Sequence, residues 1–159
     1  MDIALEEAEL AAAQGDVPVG AVMASGDEVI ARAHNMREAL NDPTAHAEVL
    51  VIRESAMKLG RWRLNDLTLY VTIEPCAMCA GAIVLARIRR IVFGAKDPKG
   101  GGCGTVFQIL QEPLLNHNTE IVSGIKEEMC RKIIQDFFEN RRNGQIPAFP
   151  PLVQGGFKH

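Results

Sequence analysis

Aromatic residues make up only 5% of the 159 residues, with one Trp, one Tyr and six Phe. Val, Ile, Leu and Ala must therefore fill the core, and with 47% hydrophobic residues a chain of this length can bury one. No apolar run approaches the ~18 residues of a membrane span. The first residues, Met1-Asp2-Ile3-Ala4-Leu5-Glu6-Glu7, lack the basic stretch of a secretory signal. A soluble, cytoplasmic single domain with no membrane partner is expected. Cysteine is scarce too. Four are too few for a disulfide scaffold, and Cys76 and Cys79 stand three apart, a spacing that suggests metal or redox chemistry. An excess of positive charge is also missing. The net charge of −3 does not announce a nucleic-acid binder. Its distribution is uneven, however, with Arg87, Arg89, Arg90, Lys96 and Lys99 against Asp97 within residues 85–100. Such a stretch can meet phosphates; on charge alone it equally suits a solvated helix end and loop.

What is present alternates between helical and extended patterns, with no internal repeat. An apolar stripe predicts a helix over 2–13, stopped by Gly15 and Pro18. Val19–Met23 and 28–33, joined by Ser25-Gly26-Asp27, predict a hairpin. A polar loop over 34–43 leads to a helix over 45–59, with Thr44 as its cap and Gly60 as its stop. Residues 67–73 read as a strand, 76–87 as a helix and 88–94 as a strand. Gly100–Gly104 reads as a flexible loop, 106–111 as a short helix and 120–122 as a weak strand. An amphipathic helix spans 126–142. Strands alternating with helices give an α/β layer fold with a mixed sheet. The domain boundary falls at 1–143, followed by an irregular, Gly- and Pro-rich tail over 144–159.

Two fragments carry chemistry: Pro43-Thr44-Ala45-His46-Ala47-Glu48 and Glu74-Pro75-Cys76-Ala77-Met78-Cys79. Each opens a predicted helix. Cys76 and Cys79, at i and i+3, share one helix face, and two thiolates there can grip one ion at ~2.3 Å each, with a His46 nitrogen at ~2.0–2.1 Å. A helix amino terminus favours thiolate over thiol. Three protein ligands leave a fourth position open, the mark of a catalytic rather than a structural zinc. Glu48 is two residues past His46. On an ideal helix the two point apart, but at the first turn both can lean towards a site beyond the helix end, where a carboxylate can move protons. Two other readings stand beside this one. A Cys-x-x-Cys pair opening a helix also suits a dithiol redox motif, which leaves His46 and Glu48 unexplained. A structural zinc with Cys103, Cys130 or His117 as fourth ligand is the second.

His-x-Glu followed by Pro-Cys-x-x-Cys resembles the zinc-dependent cytidine and adenosine deaminases. Longer runs narrow the resemblance. Val17–Ala21, Asp42–Glu48, Leu69–Ala82, Val92–Asp97, Leu115–His117 and Asp136-Phe137-Phe138 with Arg141-Arg142 are similar to the bacterial tRNA-specific adenosine deaminases, over residues 3–142. Cys103 departs from the family pattern, which has a small residue such as Ala there. The resemblance implies a cytidine deaminase-like three-layer α/β/α fold with a five-stranded mixed sheet, working as a homodimer. It implies one Zn2+ per subunit on His46, Cys76 and Cys79, and Glu48 as the proton carrier. The implied reaction is hydrolytic deamination of the wobble adenosine of a tRNA anticodon to inosine, in tRNA-Arg with an ACG anticodon, releasing ammonia. The implied substrate contacts are Asn35 on the base edge, backbone N–H groups at Ala47 and Cys76, and Asp97, Lys99, Phe137, Phe138, Arg141 and Arg142 along the RNA. Val17 and Ile73 are candidates for the pocket wall.

Overall fold

The computed structural model describes residues 1–145. Its elements are α1 (Asp2–Ala13), β1 (Gly20–Ser25), β2 (Glu28–His34), α2 (Arg37–Leu40), α3 (Ala47–Leu59), β3 (Thr68–Ile73), α4 (Ala77–Leu85), β4 (Arg90–Ala95), β5 (Glu120–Ser123) and α5 (Glu127–Arg142). The strands form one sheet in the order β2-β1-β3-β4-β5. β1 is antiparallel to both β2 and β3, whereas β3, β4 and β5 run parallel. The sheet is thus mixed and five-stranded, as the sequence pattern and the resemblance both led one to expect.

Side-chain alternation assigns the two faces. Ala21 and Met23 of β1, Leu69 and Val71 of β3, and Ile91 and Phe93 of β4 form one core with Val51 of α3 and Ile83 of α4. The intervening positions face α1 and α5. They include Gly20, Thr72 and Gly94, and here Leu5, Ala95 and Cys130 pack together. This second layer is thin because the helices sit close to the sheet. A methyl group added at Gly20 would run into the Ala4 carbonyl and stand 2.6 Å from the Ala8 amide nitrogen. The alanines that α1 buries, Ala4, Ala8 and Ala11, are the other half of that close approach. Gly20→Ala is expected to destabilise the chain by about 1–3 kcal/mol through overpacking against backbone that cannot yield. At this chain length that lowers the melting temperature by roughly 2–4 °C per kcal/mol; urea denaturation against wild type measures it.

Several boundaries differ from those expected. The polar stretch before His46 contains a helix, α2, ended by Asn41 in the left-handed region at φ 53°. Thr44 does not cap α3. Asp42 Oδ1 takes both its N–H and its hydroxyl, each at 2.7 Å, in an Asx-type turn. His46 holds the cap position instead, in extended conformation (φ −75°, ψ 146°). α4 is shorter than expected and ends before Arg87, at φ 59°. Instead of a helix over 106–111, only one 3-10 turn forms, Ile109–Gln111. The glycine-rich segment explains this. Val106, Phe107 and Ile109 donate their N–H groups to the Gly101 and Gly102 carbonyls, so the loop folds on itself rather than into a helix. The tail expected over 144–159 falls, from residue 146 on, outside the described residues.

Candidate active site

The parallel strand β3 ends at Ile73, and the chain turns through Glu74-Pro75 into α4. Ligands in α/β folds gather at such carboxyl ends of parallel strands. Cys76 is the cap residue of α4, also extended (φ −70°, ψ 173°), and Cys79 lies in its first turn. The cap residue of α3, His46, reaches the same point. Its Nδ1 stands 3.8 Å from Cys76 Sγ and 3.6 Å from Cys79 Sγ. The three donor atoms lie within 4.8 Å of one another. A tetrahedral ion with ~2.0–2.1 Å bonds to nitrogen and ~2.3 Å bonds to sulfur separates the N and S ligands by about 3.6 Å. The observed spacing meets that requirement, and an imidazole with two thiolates suits zinc chemically. The hydrogen bond from Cys79 pulls the Cys76 thiol down to about 3, with a further contribution from His46. The same bond, with burial, pushes Cys79 up.

No fourth protein ligand joins the cluster among the described residues. His117 Nε2 is engaged by the Ile88 carbonyl at 2.8 Å. Cys130 is fully buried on the opposite face of the sheet, against the position of Gly94. Cys103 is buried, and its N–H donates to Glu74 Oε1 at 3.0 Å.

Glu48 is 2% exposed, and its Oε2 has no hydrogen-bond partner among the described residues. Burial raises its carboxyl above the ordinary range. An unpaired buried polar atom costs about 1–3 kcal/mol, so its retention marks a group kept for something that binds beside it. His46 sits outside the helix proper, so the opposed directions of an ideal helix do not apply, and both side chains line one cavity of about 150 Å³.

That cavity brings together much of what the sequence singled out. Asn35, Asp97, Cys76, Val17 and Ile73 line it alongside His46 and Glu48. Ala47, fully buried, opens α3. Lys99 is exposed in the adjoining loop, its N–H donating to Asp97 Oδ1 at 2.9 Å. The residues of α5 do not line the cavity. Phe137 is 3% exposed and Phe138 41%; their rings meet edge to face at 5.5 Å. The Arg141 guanidinium lies 5.9 Å from the Phe137 ring centre, and Arg142 is exposed.

Three lining residues escaped sequence reasoning: Val19, Arg37 and Glu74. Glu74 is 1% exposed. It accepts the N–H groups of Asp97 (3.1 Å), Cys103 (3.0 Å) and Thr105 (3.1 Å), together with the Thr105 hydroxyl. The glycine-rich segment expected to be flexible is therefore pinned, and Asp97 with it. The available signal was an acid in Glu-Pro-Cys with no cation in the fragment to pair with it.

The fold and the buried carboxylate beside a His-Cys-Cys cluster define a deaminase of the cytidine deaminase-like α/β class. The sequence profile of the MafB19-like deaminase family matches residues 1–142. The tRNA-specific adenosine deaminase of Bacillus subtilis (strain 168) is 53% identical over 148 residues, covering 93% of this chain and 92% of that protein. The protein of the same name from Aquifex aeolicus (strain VF5) is 45% identical over 146 residues, covering 92% and 96%. A solved structure from work on A-to-I editing by tRNA:A34 deaminases at the wobble position of transfer RNA superimposes with a TM-score of 0.81. It is 46% identical, covering 84% of this chain and 96% of that one. This chain belongs to the tRNA-specific adenosine deaminase family.

Proposed function

We propose that this chain converts the wobble adenosine of a tRNA anticodon to inosine, with Zn2+ held by His46, Cys76 and Cys79. The observation that carries this reading is one cavity lined by His46 and Cys76 of the metal-ligand cluster, by Glu48 with its unpartnered Oε2, and by Asn35. Relatives with tRNA adenosine in their names supply the substrate class. Zinc at this site supplies water activation, lowering a water's pKa from 15.7 to about 7. Glu48 takes a proton from the attacking water and delivers protons to the base, at N1 as C6 is attacked and at the departing nitrogen. The C6–N bond breaks, a C6–O bond forms, and ammonia leaves. Its buried, water-poor setting strengthens each of these contacts.

Asn35 hydrogen-bonds the base edge, and Val17 and Ile73 flank the ring. Backbone N–H groups at Ala47 and Cys76 face the developing charge; a helix amino terminus leaves such donors free. An adenine in a folded loop must be splayed out to enter. Asp97 and Lys99 hold the nucleotides beside it, and Arg141 and Arg142 meet phosphates. Of the two α5 phenylalanines, Phe138 presents ring surface to RNA and Phe137 supports it from beneath. The catalytic unit is residues 1–143, acting in the cytoplasm as a homodimer on tRNA-Arg with an ACG anticodon.

The test offers the purified protein an ACG-anticodon tRNA, free guanine and free cytidine, with products read by mass spectrometry. Inosine is expected in the tRNA alone. Turnover of a free base with none of the tRNA would overturn the reading. If Lys99, Arg141 and Arg142 each neutralise one phosphate, log affinity falls with log salt with a slope of about −0.7 per contact.

A further inference from the structure

Asp16 lies in the turn between α1 and β1 and is 1% exposed. Three N–H groups converge on its two carboxylate oxygens. Oδ1 accepts from the Asn35 side chain at 2.8 Å and from the Val17 backbone at 2.9 Å. Oδ2 accepts from the Glu38 backbone at 2.9 Å. Those contacts reach three separate segments of the cavity wall. Val17 and Asn35 line the cavity directly, and Glu38 follows Arg37, which also lines it.

The chemistry of the contact with Asn35 is directional. A carboxylate accepts and does not donate, so only the –NH2 side of the Asn35 amide can face Asp16. The Asn35 backbone is held as well, its N–H donating to the Val19 carbonyl at 2.9 Å. With both ends fixed, the carbonyl oxygen and the second N–H of the Asn35 amide are the groups left to meet a ligand. An asparagine amide without such a partner turns over by rotation of its terminal torsion, which has two broad, similar wells. Each turn would exchange donor and acceptor at the base edge.

We infer that Asp16 is a positioning residue for base recognition: it fixes which face of the Asn35 amide is offered to the substrate and ties that amide to the segment carrying Arg37. The inference rests on the reading of this cavity as the base pocket. It acts through Asn35 and touches no substrate.

The test is a double-mutant cycle on the full chain with tRNA substrate, using the near-isosteric Asp16→Asn, Asn35→Ala and the pair. An amide at position 16 accepts at one atom only, so it cannot satisfy three donors and no longer excludes either orientation of Asn35. Asp16→Asn is expected to raise KM about tenfold while kcat stays within about threefold and zinc content is unchanged. The double variant should be no worse than Asn35→Ala alone. Losses that simply multiply, or a fall in kcat that tracks lost zinc at unchanged KM, would overturn the assignment.

A second measurement is independent of turnover. In the wild type one Asn35 side-chain N–H proton, assigned by its absence from Asn35→Ala, should exchange slowly with solvent by NMR, and Asp16→Asn should accelerate it. Equal exchange in both proteins would dismiss the clamp. A wild type inactive on tRNA with the slow proton present would instead refute the functional reading and leave the clamp standing.

Discussion

Glu48→Gln should lower kcat on tRNA by at least roughly 10³-fold while leaving the melting temperature equal to or above that of wild type. General acid–base catalysis by one positioned group is worth about 10²–10⁴-fold. Glu48 is assigned more than one proton transfer, which places the loss in the upper part of that range; 10³-fold is about 4 kcal/mol of barrier. The stability half follows from different observations. The carboxylate is 2% exposed, and one of its oxygens is unpartnered. A buried charge without a partner is a cost to the fold, and a neutral amide of the same shape removes the charge without opening a cavity. Activity and stability should therefore move in opposite directions, the pattern of a site kept strained for function. Single-turnover assays with circular dichroism melting measure both. A variant that loses activity and stability together would mark Glu48 as structural.

How much of this was legible in the sequence depends on the distance over which each signal acts. The His-x-Glu and Cys-x-x-Cys fragments declare themselves because their partners lie within one helical turn. The convergence of the two fragments was an inference from chemistry that the fold then supplied, with His46 and Cys76 capping adjacent helices. The β-rich runs that became β3 and β4 were legible as strands for the same local reason. Along α5 the sequence pattern did not tell the two adjacent rings apart; the structure buries Phe137, 3% exposed, and leaves Phe138 41% exposed. Met129, an apolar residue of the same helix, is 55% exposed.

What could not be read is carried by contacts between distant segments or by polar side chains paired with backbone. α2 has four residues, too few to show a period. Thr44 looks like a cap until Asp42 takes both its donors. Asp16 and Asn35 are brought together only once α1 and the β1–β2 hairpin are in place. Glu74 holds the loop of Asp97 through backbone N–H groups, which leave no trace in residue identity. The parts of the site that react were thus written locally, and the parts that orient them were written in the tertiary structure.

Removing the metal should leave this chain folded but less stable, and removing one ligand should abolish its zinc. Wild type is expected to carry about one zinc per chain by atomic spectrometry; Cys79→Ala should carry close to none, whereas Glu48→Gln should retain it. The ligand set argues for the first difference. Among the described residues three donors converge, so the loss of one thiolate leaves two, too few to hold the ion against water. The core argues for survival of the fold. Met23, Leu69, Ile83 and Ile91 are fully buried between the sheet and α3 and α4, and that packing does not pass through the His46 or Cys76 side chains. A ligand that binds the native state alone stabilises by about 4.1 kcal/mol when its free concentration is 1,000 times its Kd. For a chain of this size, that corresponds to a fall in melting temperature of roughly 8–16 °C on chelation. Far-ultraviolet circular dichroism at 25 °C should stay native throughout, and added zinc should restore both the melting temperature and tRNA deamination. Unfolding at 25 °C on chelation, as in small domains whose zinc supplies the folding energy, would show the ion to be structural and would count against the open, hydrolytic site proposed for His46, Cys76 and Cys79.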